Sequence, residues 1–274
     1  MKKLMMMAMV LAASVGAVSA QEAAKEEAAK NVKEVESAPF SFEATADIYS
    51  AYVWRGLVLN KHAVLQPGAT AMFDLGDAGA ISAGVWSDFN LTQNSRHAAN
   101  RHKAFGGLDE LDFNAAYAID LGDFSLSAGH IWYTFPQANG SDYGHSTEEV
   151  FLSLAYNNDI VTPFVSVNYD YNMVEGCYAK IGLGRQFELA DRLTAGCEIS
   201  LGMGDDEYNE AYFGPGTSDG LLDLNVSATL AYAVTENVSV GATLAWMSLA
   251  DDDARDSVSQ SDIIWGGLNL KAGF

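Results

Sequence analysis

The residues most able to bind ions or take part in chemistry are charged side chains that recur at alternate positions of short, otherwise apolar segments. Because alternate residues of a strand point to opposite faces, this spacing would gather them on one face. Nine carboxylates and three cations share it: Glu43, Asp47, Asp74, Asp88, Asp112, Asp120, Asp170, Glu198 and Asp223 against Arg55, Lys180 and Lys271. It also carries uncharged residues: Thr45, Tyr49, Gln66, Thr70, Trp86, Asn114, Asn168, Asn225 and Asn269.

Two interpretations of this charged face are open. Carboxylates that line a water-filled space favour cations and repel anions, so a wet interior predicts a channel with a preference for cations. Alternatively, the carboxylates and the three cations form closed polar networks that fill the interior. Arg55, close to Lys61 and His62 in the sequence, could bind a substrate anion. We favour a structural ion pair between Arg55 and Asp88 or Asp74.

A catalytic interpretation would require a serine, a histidine and a group that orients the histidine. His130 is the only histidine inside a predicted strand, and alternation places it on the apolar face with Trp132. A bulge could instead turn it inward. The candidate serines are Ser87 and Ser153, and neither lies in a G-x-S-x-G sequence. We therefore expect no enzyme, with a lipid hydrolase as the minor alternative.

Three long connections between the segments are strongly charged. The connection 92–108 is basic, whereas 204–220 and 250–261 are acidic. Opposite charges could hold these loops together over a channel mouth, or the acidic runs could bind Ca²⁺ or Mg²⁺ through oxygen ligands. Neither acidic run has a recognised metal spacing, so we favour a solvated charged rim and expect no metal and no cofactor.

The elements that must position these residues are twelve alternating segments. They cover residues 41–56, 66–75, 80–91, 109–121, 123–135, 147–157, 160–172, 176–188, 191–203, 221–234, 237–249 and 262–274. Each is about long enough for a tilted strand to cross a bilayer. The connections alternate between short and long, except for a short one at 173–175 where a long one is due.

This layout predicts an all-β fold, a transmembrane antiparallel up-and-down β-barrel. Such barrels have an even strand number, short periplasmic turns, longer outer loops, an apolar lipid-facing surface and a polar interior. Closure also leaves no unpaired strand edge in the lipid. A soluble barrel or sandwich is the alternative, because each single strand signal is weak. Phe274 ends the last alternating strand and resembles the C-terminal signal read by the barrel assembly machinery.

The N-terminal residues predict export. Lys2 and Lys3, the apolar run 4–15 and the small residues before Gln21 are typical of a secretory signal peptide over residues 1–20. Residues 21–39 predict a periplasmic helical tether, and 40–274 form the barrel. Without Lys2 and Lys3 the chain keeps 13 of its 15 basic residues against 36 acidic ones. This acidic balance argues against nucleic acid as a partner.

The two cysteines, Cys177 and Cys197, fall on neighbouring predicted strands. The short turn between those strands pairs Cys177 with a position near residue 202. Five residues of offset correspond to about 17 Å at the rise of a strand, which is too far for a disulfide. We expect both thiols to stay free.

Several motifs resemble the TorF-type family of outer-membrane porins. They are Asp47–Gly56, Gln66-Pro67-Gly68, Gly84–Asp88, Trp132–Pro136, Glu148–Phe151, Pro163-Phe164 and Tyr169–Gly176. The resemblance implies a pore-forming barrel but no particular substrate. We therefore expect an outer-membrane channel for passive diffusion of small hydrophilic solutes, with cation preference. Its expected partners are outer-membrane lipid, the assembly machinery, and small solutes or cations. A non-conducting structural or adhesion barrel is the main alternative.

Overall fold

The computed structural model describes residues 39–92, 106–137 and 145–274. Its strands are β1 (Phe40–Tyr49), β2 (Tyr52–Trp54), β3 (Leu57–Asn60), β4 (Val64–Asp74), β5 (Ala80–Asn90), β6 (Gly107–Leu121), β7 (Phe124–Thr134), β8 (Ser146–Tyr156), β9 (Thr162–Asp170), β10 (Cys177–Ala190), β11 (Leu193–Gly204), β12 (Gly220–Ala233), β13 (Val238–Leu249) and β14 (Asp262–Gly273). Two helices follow long strands, α1 (Asp206–Phe213) and α2 (Asp252–Ser257), and a 3₁₀ turn spans Gly76–Ala78.

Twelve of these strands form one closed antiparallel barrel, in the order β1-β14-β13-β12-β11-β10-β9-β8-β7-β6-β5-β4. The barrel closes where β1 pairs with β14, for example Asp47 opposite Asn269. Phe274 extends this seam, because its N–H donates to the Phe42 carbonyl at 2.8 Å and its own carbonyl accepts from the Phe42 N–H at 3.0 Å. The predicted fold class and the twelve-stranded barrel are confirmed.

The barrel has two unlike ends. At one, which we call the turn end, short connections join the strands and both Phe40 and Phe274 lie there. At the other, the loop end, lie the small sheet of β2 and β3 and both helices. No helix among the residues in these three described ranges is long and apolar enough to cross a membrane.

Alternation along the strands separates an apolar outer face from an inner face. On β14, Ile264 and Leu268 are 71% and 67% exposed, whereas Asn269, the residue after Leu268, hydrogen-bonds inside the barrel. On β13, Leu244 is exposed and its neighbours Thr243 and Ala245 are buried. A sheet that closes on itself encloses only its inner face, and in this barrel the large apolar side chains lie on the outer face.

The first predicted segment, 41–56, is wrong at its end. Barrel strand β1 stops at Tyr49, and residues 50–63 turn into the barrel as a hairpin made of β2 and β3. A bulge between β11 and β12 also shifts the predicted outward position of Leu222, whose side chain is buried in the core. The long acidic connections, predicted as rim loops, contain α1 and α2.

Several predictions fall outside the described residues. These are the signal peptide at 1–20, the tether at 21–39 except for Pro39, and the basic part of the connection 92–108. The cysteines are described, and both are free thiols. Cys197 lies opposite Arg185 on β10, so its register partner is even further from Cys177 than the predicted turn implied.

Candidate functional site

The hairpin formed by β2 and β3, residues 50–63, enters the barrel from the loop end. Trp54 pairs with Leu57, which leaves Arg55 and Gly56 as a two-residue turn. Both have positive φ angles, 46° and 82°, as the tight turns favoured in hairpins require. A Cβ on Gly56 would lie 2.7 Å from Leu249 Cδ2 and 3.3 Å from Asp223 Cβ. The tip of the hairpin is therefore packed against β12 and β13 with no room for a side chain at Gly56.

Arg55 at this tip forms an ion pair with Glu149 on β8. Its Nη1 and Nη2 donate to the two carboxylate oxygens of Glu149, each at 2.7 Å. The Tyr133 hydroxyl donates to Glu149 Oε2 at 3.1 Å. The arginine and glutamate side chains are only 11% and 2% exposed. Paired and buried in this way, the two charges join the hairpin to the wall by the strongest kind of hydrogen bond available to an arginine.

Aromatic rings surround the same guanidinium. Its central carbon lies 4.6 Å from the ring centroid of Trp54, 4.9 Å from that of Tyr178 and 6.0 Å from that of Tyr208. Burial alone lowers the pKa of Arg55, but the charge and hydrogen bonds of Glu149, together with Tyr133 and Tyr208, outweigh it and hold the pKa well above the usual range. Arg55 is thus a fixed positive charge in an aromatic and acidic cage.

The mouth cluster is the apolar core that surrounds the hairpin tip. It contains Tyr178, Tyr208, Phe213, Leu222, Met247, Leu249 and Ala254, all buried, with Val53, Trp54, Leu57 and Val58 of the hairpin packed against it. The wall, the hairpin and both helices all contribute. Glu149, which binds the hairpin tip at this level, is the fourth residue of β8 from the loop end, about 10 Å along the strand from its first residue.

The two helices at the loop end are stabilised by acids of the predicted rim. Asp205 accepts a hydrogen bond from Tyr208 N at 2.9 Å, and Asp251 accepts one from Ala254 N at 2.7 Å. Both are N-caps, which satisfy backbone donors of the first turn.

A cavity of about 370 Å³ beside α1 is lined by Asp206, Glu207, Glu210, Gly216, Thr217 and Ser218. No group of three or more histidine, cysteine or acidic side chains able to hold a metal occurs in the described part of the chain.

Elsewhere on the inner face, ion pairs and hydrogen bonds join neighbouring strands. Lys271 Nζ lies 2.5 Å from Glu43 Oε2, and Lys180 Nζ lies 3.5 Å from Glu198 Oε1. Asn269 donates to Asp47 Oδ1 at 3.1 Å and to the Tyr49 hydroxyl at 2.8 Å. These contacts run along the wall, whereas the pair of Arg55 and Glu149 runs across the interior.

The other predicted lining residues divide by depth. Asp88, Asp112, Asn168, Asp170 and Asp223 are buried towards the loop end. Asp88 accepts from Gln66, Asp170 from Thr147, and Asp223 from Tyr178 and Asn225. Trp86 contacts Tyr52 of the hairpin at a centroid distance of 5.6 Å. Asn114 faces Gly84, Asp120 accepts from Ser125, and Asp74 caps the turn at Gly76. Their role in lining a channel stays a prediction.

The predicted partner of Arg55 is wrong. Neither Asp88 nor Asp74 binds it in the structure, and Glu149 does. Alternation could have identified Glu149 as inward, because Val150 and Leu152 on the same strand are exposed outside. It could not have shown that residues 50–63 cross the interior to reach β8.

His130 lies on the outer face, as alternation predicts, and no bulge turns it inward. Its Nε2 is 3.1 Å from Glu148 Oε2 and 2.8 Å from the Tyr171 hydroxyl. Ser153 is buried on the opposite face, and Ser87 donates to the Pro67 carbonyl. Ser218 has the G-x-S-x-G spacing, but it follows a helix and precedes a strand, the reverse of the strand-turn-helix context that the motif needs.

Comparisons with known proteins agree with the barrel. The outer membrane channel COG4313 from Pseudomonas putida F1 is similar with a TM-score of 0.52 at 9% identity, over 89% of this chain and 98% of that one. A KdgM porin is also similar, with a TM-score of 0.46 at 10% identity, over 85% of this chain and 99% of that one. A NanC porin is similar with a TM-score of 0.48 at 10% identity, over 85% of this chain and 98% of that one. Among curated proteins none matches.

A family model, described as "Bacterial protein of unknown function (Gcw_chp)", matches residues 33–188. That match covers more than half of the 274 residues. The TorF-type resemblance is not confirmed by name and stays an expectation. The chain belongs to the Gcw_chp family of bacterial proteins of unknown function.

Proposed function

We propose that this chain is an outer-membrane, porin-like channel through which small hydrophilic solutes diffuse passively, with a preference for cations. The observation that carries the proposal is the closed twelve-stranded barrel with large apolar side chains outside and polar side chains inside. That arrangement suits a lipid surround and a wet interior. Its similarity to a structure described as an outer membrane channel supports the same class.

The cation preference is argued from charge. Among the predicted lining residues, carboxylates outnumber cations nine to three, and Arg55 and Lys271 are each paired closely with a carboxylate. An interior with excess negative charge concentrates cations.

In the proposed orientation the turn end faces the periplasm, the signal peptide directs export, and residues 21–39 tether the barrel. Phe274, exposed at the seam, presents the last strand to the assembly machinery.

One observation favours a second candidate, a non-conducting structural barrel. The hairpin 50–63 crosses the interior and is held to the far wall by Arg55 and Glu149. If it never leaves this position, solutes cannot pass through the loop end. A lipid hydrolase is not favoured, because the hydrogen-bond partners of the His130 ring are Glu148 and Tyr171.

Comparing the wild type with a variant that lacks the hairpin separates the two candidates. Tyr49 and Val64 are direct cross-strand partners, so Asn-Gly in place of residues 50–63 would join β1 to β4 through a two-residue turn. We call this variant the hairpin-replaced barrel. A channel makes proteoliposomes of the wild type swell in neutral sugars and amino acids at rates that fall with solute size, and the hairpin-replaced barrel swells faster. Wild-type swelling no faster than that of empty liposomes, from a barrel with full strand circular dichroism, supports the structural barrel instead.

A further inference from the structure

The wall around Arg55 has the chemistry of a guanidinium-binding site. Glu149 accepts both terminal nitrogens of the guanidinium at 2.7 Å. The rings of Tyr178 and Tyr208 face the positive carbon at 4.9 Å and 6.0 Å. A carboxylate that binds both nitrogens, together with flanking aromatic faces, is the usual recognition of this planar cation. The chain itself therefore shows that a guanidinium fits here.

The groups that recognise the guanidinium also have contacts to the barrel and to α1 that do not involve the hairpin. Glu149 receives a second hydrogen bond from Tyr133 on β7. The Tyr178 hydroxyl donates to Asp223 at 2.9 Å. Tyr208 is positioned by the cap at Asp205 and packs against Tyr178 at a centroid distance of 5.4 Å. Withdrawal of the hairpin would remove Trp54 from this layer but leave these contacts of the carboxylate and both rings.

Charge also favours a cation as the occupant. Glu149 lies opposite Asp170 on β9, and both are buried, as is Asp223. Withdrawal of Arg55 would remove the positive charge paired with Glu149 and leave it in an acidic layer. Because an uncompensated buried carboxylate is costly, a cation from solution would be drawn to this position.

We propose that this wall is a binding site for the guanidinium or alkylammonium group of a small organic cation, and that Arg55 occupies it as an internal ligand when the hairpin is docked. The proposal deepens the proposed channel function and rests on it, since the solute must reach the site through the interior. A permeating cation and the hairpin then compete for Glu149. Guanidinium should bind better than ammonium, because only guanidinium offers two parallel donors to one carboxylate.

The test measures binding of arginine amide and lysine amide, two probes of equal charge, to refolded barrels by calorimetry in micelles. In the hairpin-replaced barrel, arginine amide should bind at least about tenfold more tightly than lysine amide. Glu149→Gln should weaken the binding of arginine amide by at least about tenfold, since it removes one charge of a buried pair. Glu198→Gln, which changes another inward carboxylate, should leave binding unchanged.

Competition by Arg55 is tested in the full-length chain. Arg55→Ala should bind arginine amide at least about tenfold more tightly than the wild type, and Arg55→Lys should fall between them. Lys61→Ala removes a cation from the exposed part of the same hairpin and should behave like the wild type. Equal binding by wild type and Arg55→Ala, or binding insensitive to Glu149→Gln, would overturn the proposal.

The potassium current through the hairpin-replaced barrel, recorded with the same probes, distinguishes the two proposals. If arginine amide blocks this current and Glu149→Gln relieves the block, both the channel and the site are supported. A folded barrel that binds arginine amide but carries no current contradicts the channel and leaves the site standing. A barrel that conducts but binds neither probe contradicts the site alone.

Discussion

The two ends of the barrel interior are built from the same alternating strands, but the loop end is filled whereas the turn end is not. At the loop end, Leu222 and Asp223 of β12 are fully buried beneath the hairpin. At the turn end of the same strand, Ser227, Thr229 and Ala231 are small and keep part of their surface exposed. The pairing of β12 with β13 continues without interruption along both halves. The difference comes from the inserted hairpin and from the bulge towards β11 that turns Leu222 inward.

This comparison shows that strand pairing sets the width of the barrel, whereas the inserted hairpin sets what remains open. The loop end is filled by contacts across the interior, from Arg55 to Glu149 and from Gly56 to β12 and β13. The turn end has contacts between neighbouring strands, such as Lys271 with Glu43. A change at the loop end should therefore alter how firmly the hairpin is docked in the barrel. A change at the turn end should alter only the flow of solutes through the interior.

The largest effect is expected from removing the acceptor of Arg55. Glu149→Ala leaves a buried guanidinium without its carboxylate, which should destabilise hairpin docking by about 3–5 kcal/mol. Amide hydrogen exchange of residues 52–60 measures this directly. Glu198→Ala is the matched control, because its 3.5 Å pair with Lys180 is more exposed and should cost at most about 1 kcal/mol. Unchanged protection of the hairpin amides in Glu149→Ala would contradict the claim that Glu149 holds the hairpin in the barrel.

The next effect concerns the apolar packing under the hairpin tip. Leu249 is 1% exposed and lies against Gly56, so Leu249→Ala should cost about 2–4 kcal/mol of loop-end stability through a cavity. Leu244→Ala removes the same atoms from the outer face, where the side chain is 61% exposed. It leaves no cavity beneath the hairpin, so amide hydrogen exchange of residues 52–60 should stay as in the wild type. Hydrogen exchange of both variants measures the stability of the loop end. Equal losses of hairpin protection would argue against a packed loop end.

A smaller effect is expected from narrowing the turn end. In the hairpin-replaced barrel, Thr229→Trp places a large ring on the inner face and should reduce the single-channel conductance by about half. Ala228→Trp places the same ring one residue away on the outer face, and its conductance should be unchanged. If the two variants reduced conductance alike, the assignment of inner and outer faces on β12 would be contradicted.

The smallest effect should come from a single inward charge at the seam between β1 and β14. Asp47 is held by Asn269 and lies opposite it across the seam, so Asp47→Asn keeps the shape and removes one negative charge. The ratio of potassium to chloride permeability should fall by less than about a factor of two, because many other carboxylates remain. Reversal potentials measure it. A rise in the ratio would contradict an interior that selects by negative charge.

Alternation predicted the barrel well because it reports directly on which face of a strand is buried. Eleven of the twelve predicted segments end within about three residues of the observed strands, which is the usual accuracy for element ends. The exception is the first segment, since Tyr52 and Trp54 continue an aromatic pattern although the barrel strand has already ended at Tyr49. Their apolar surface is buried inside the barrel mouth.

The site itself was only partly accessible from sequence. The inward positions of Tyr178 and Asp223 follow from alternation, but alternation carries no information about contacts across the interior. Arg55 and Glu149 are 94 residues apart, and only the path of residues 50–63 brings them together. Asp205 and Asp251 could have been identified as helix caps from their residue type and position, which would have predicted α1 and α2 in place of a solvated rim.

The most direct test of the channel proposal is the reversal potential of the wild type in a planar bilayer under a KCl gradient, with the hairpin-replaced barrel as its comparison. We expect discrete current steps from both proteins, larger without the hairpin. Because the interior is negatively charged, the reversal potential should lie close to the equilibrium potential of potassium. Absence of steps from the demonstrably folded wild type would contradict a channel. A reversal potential close to the equilibrium potential of chloride would contradict the cation preference.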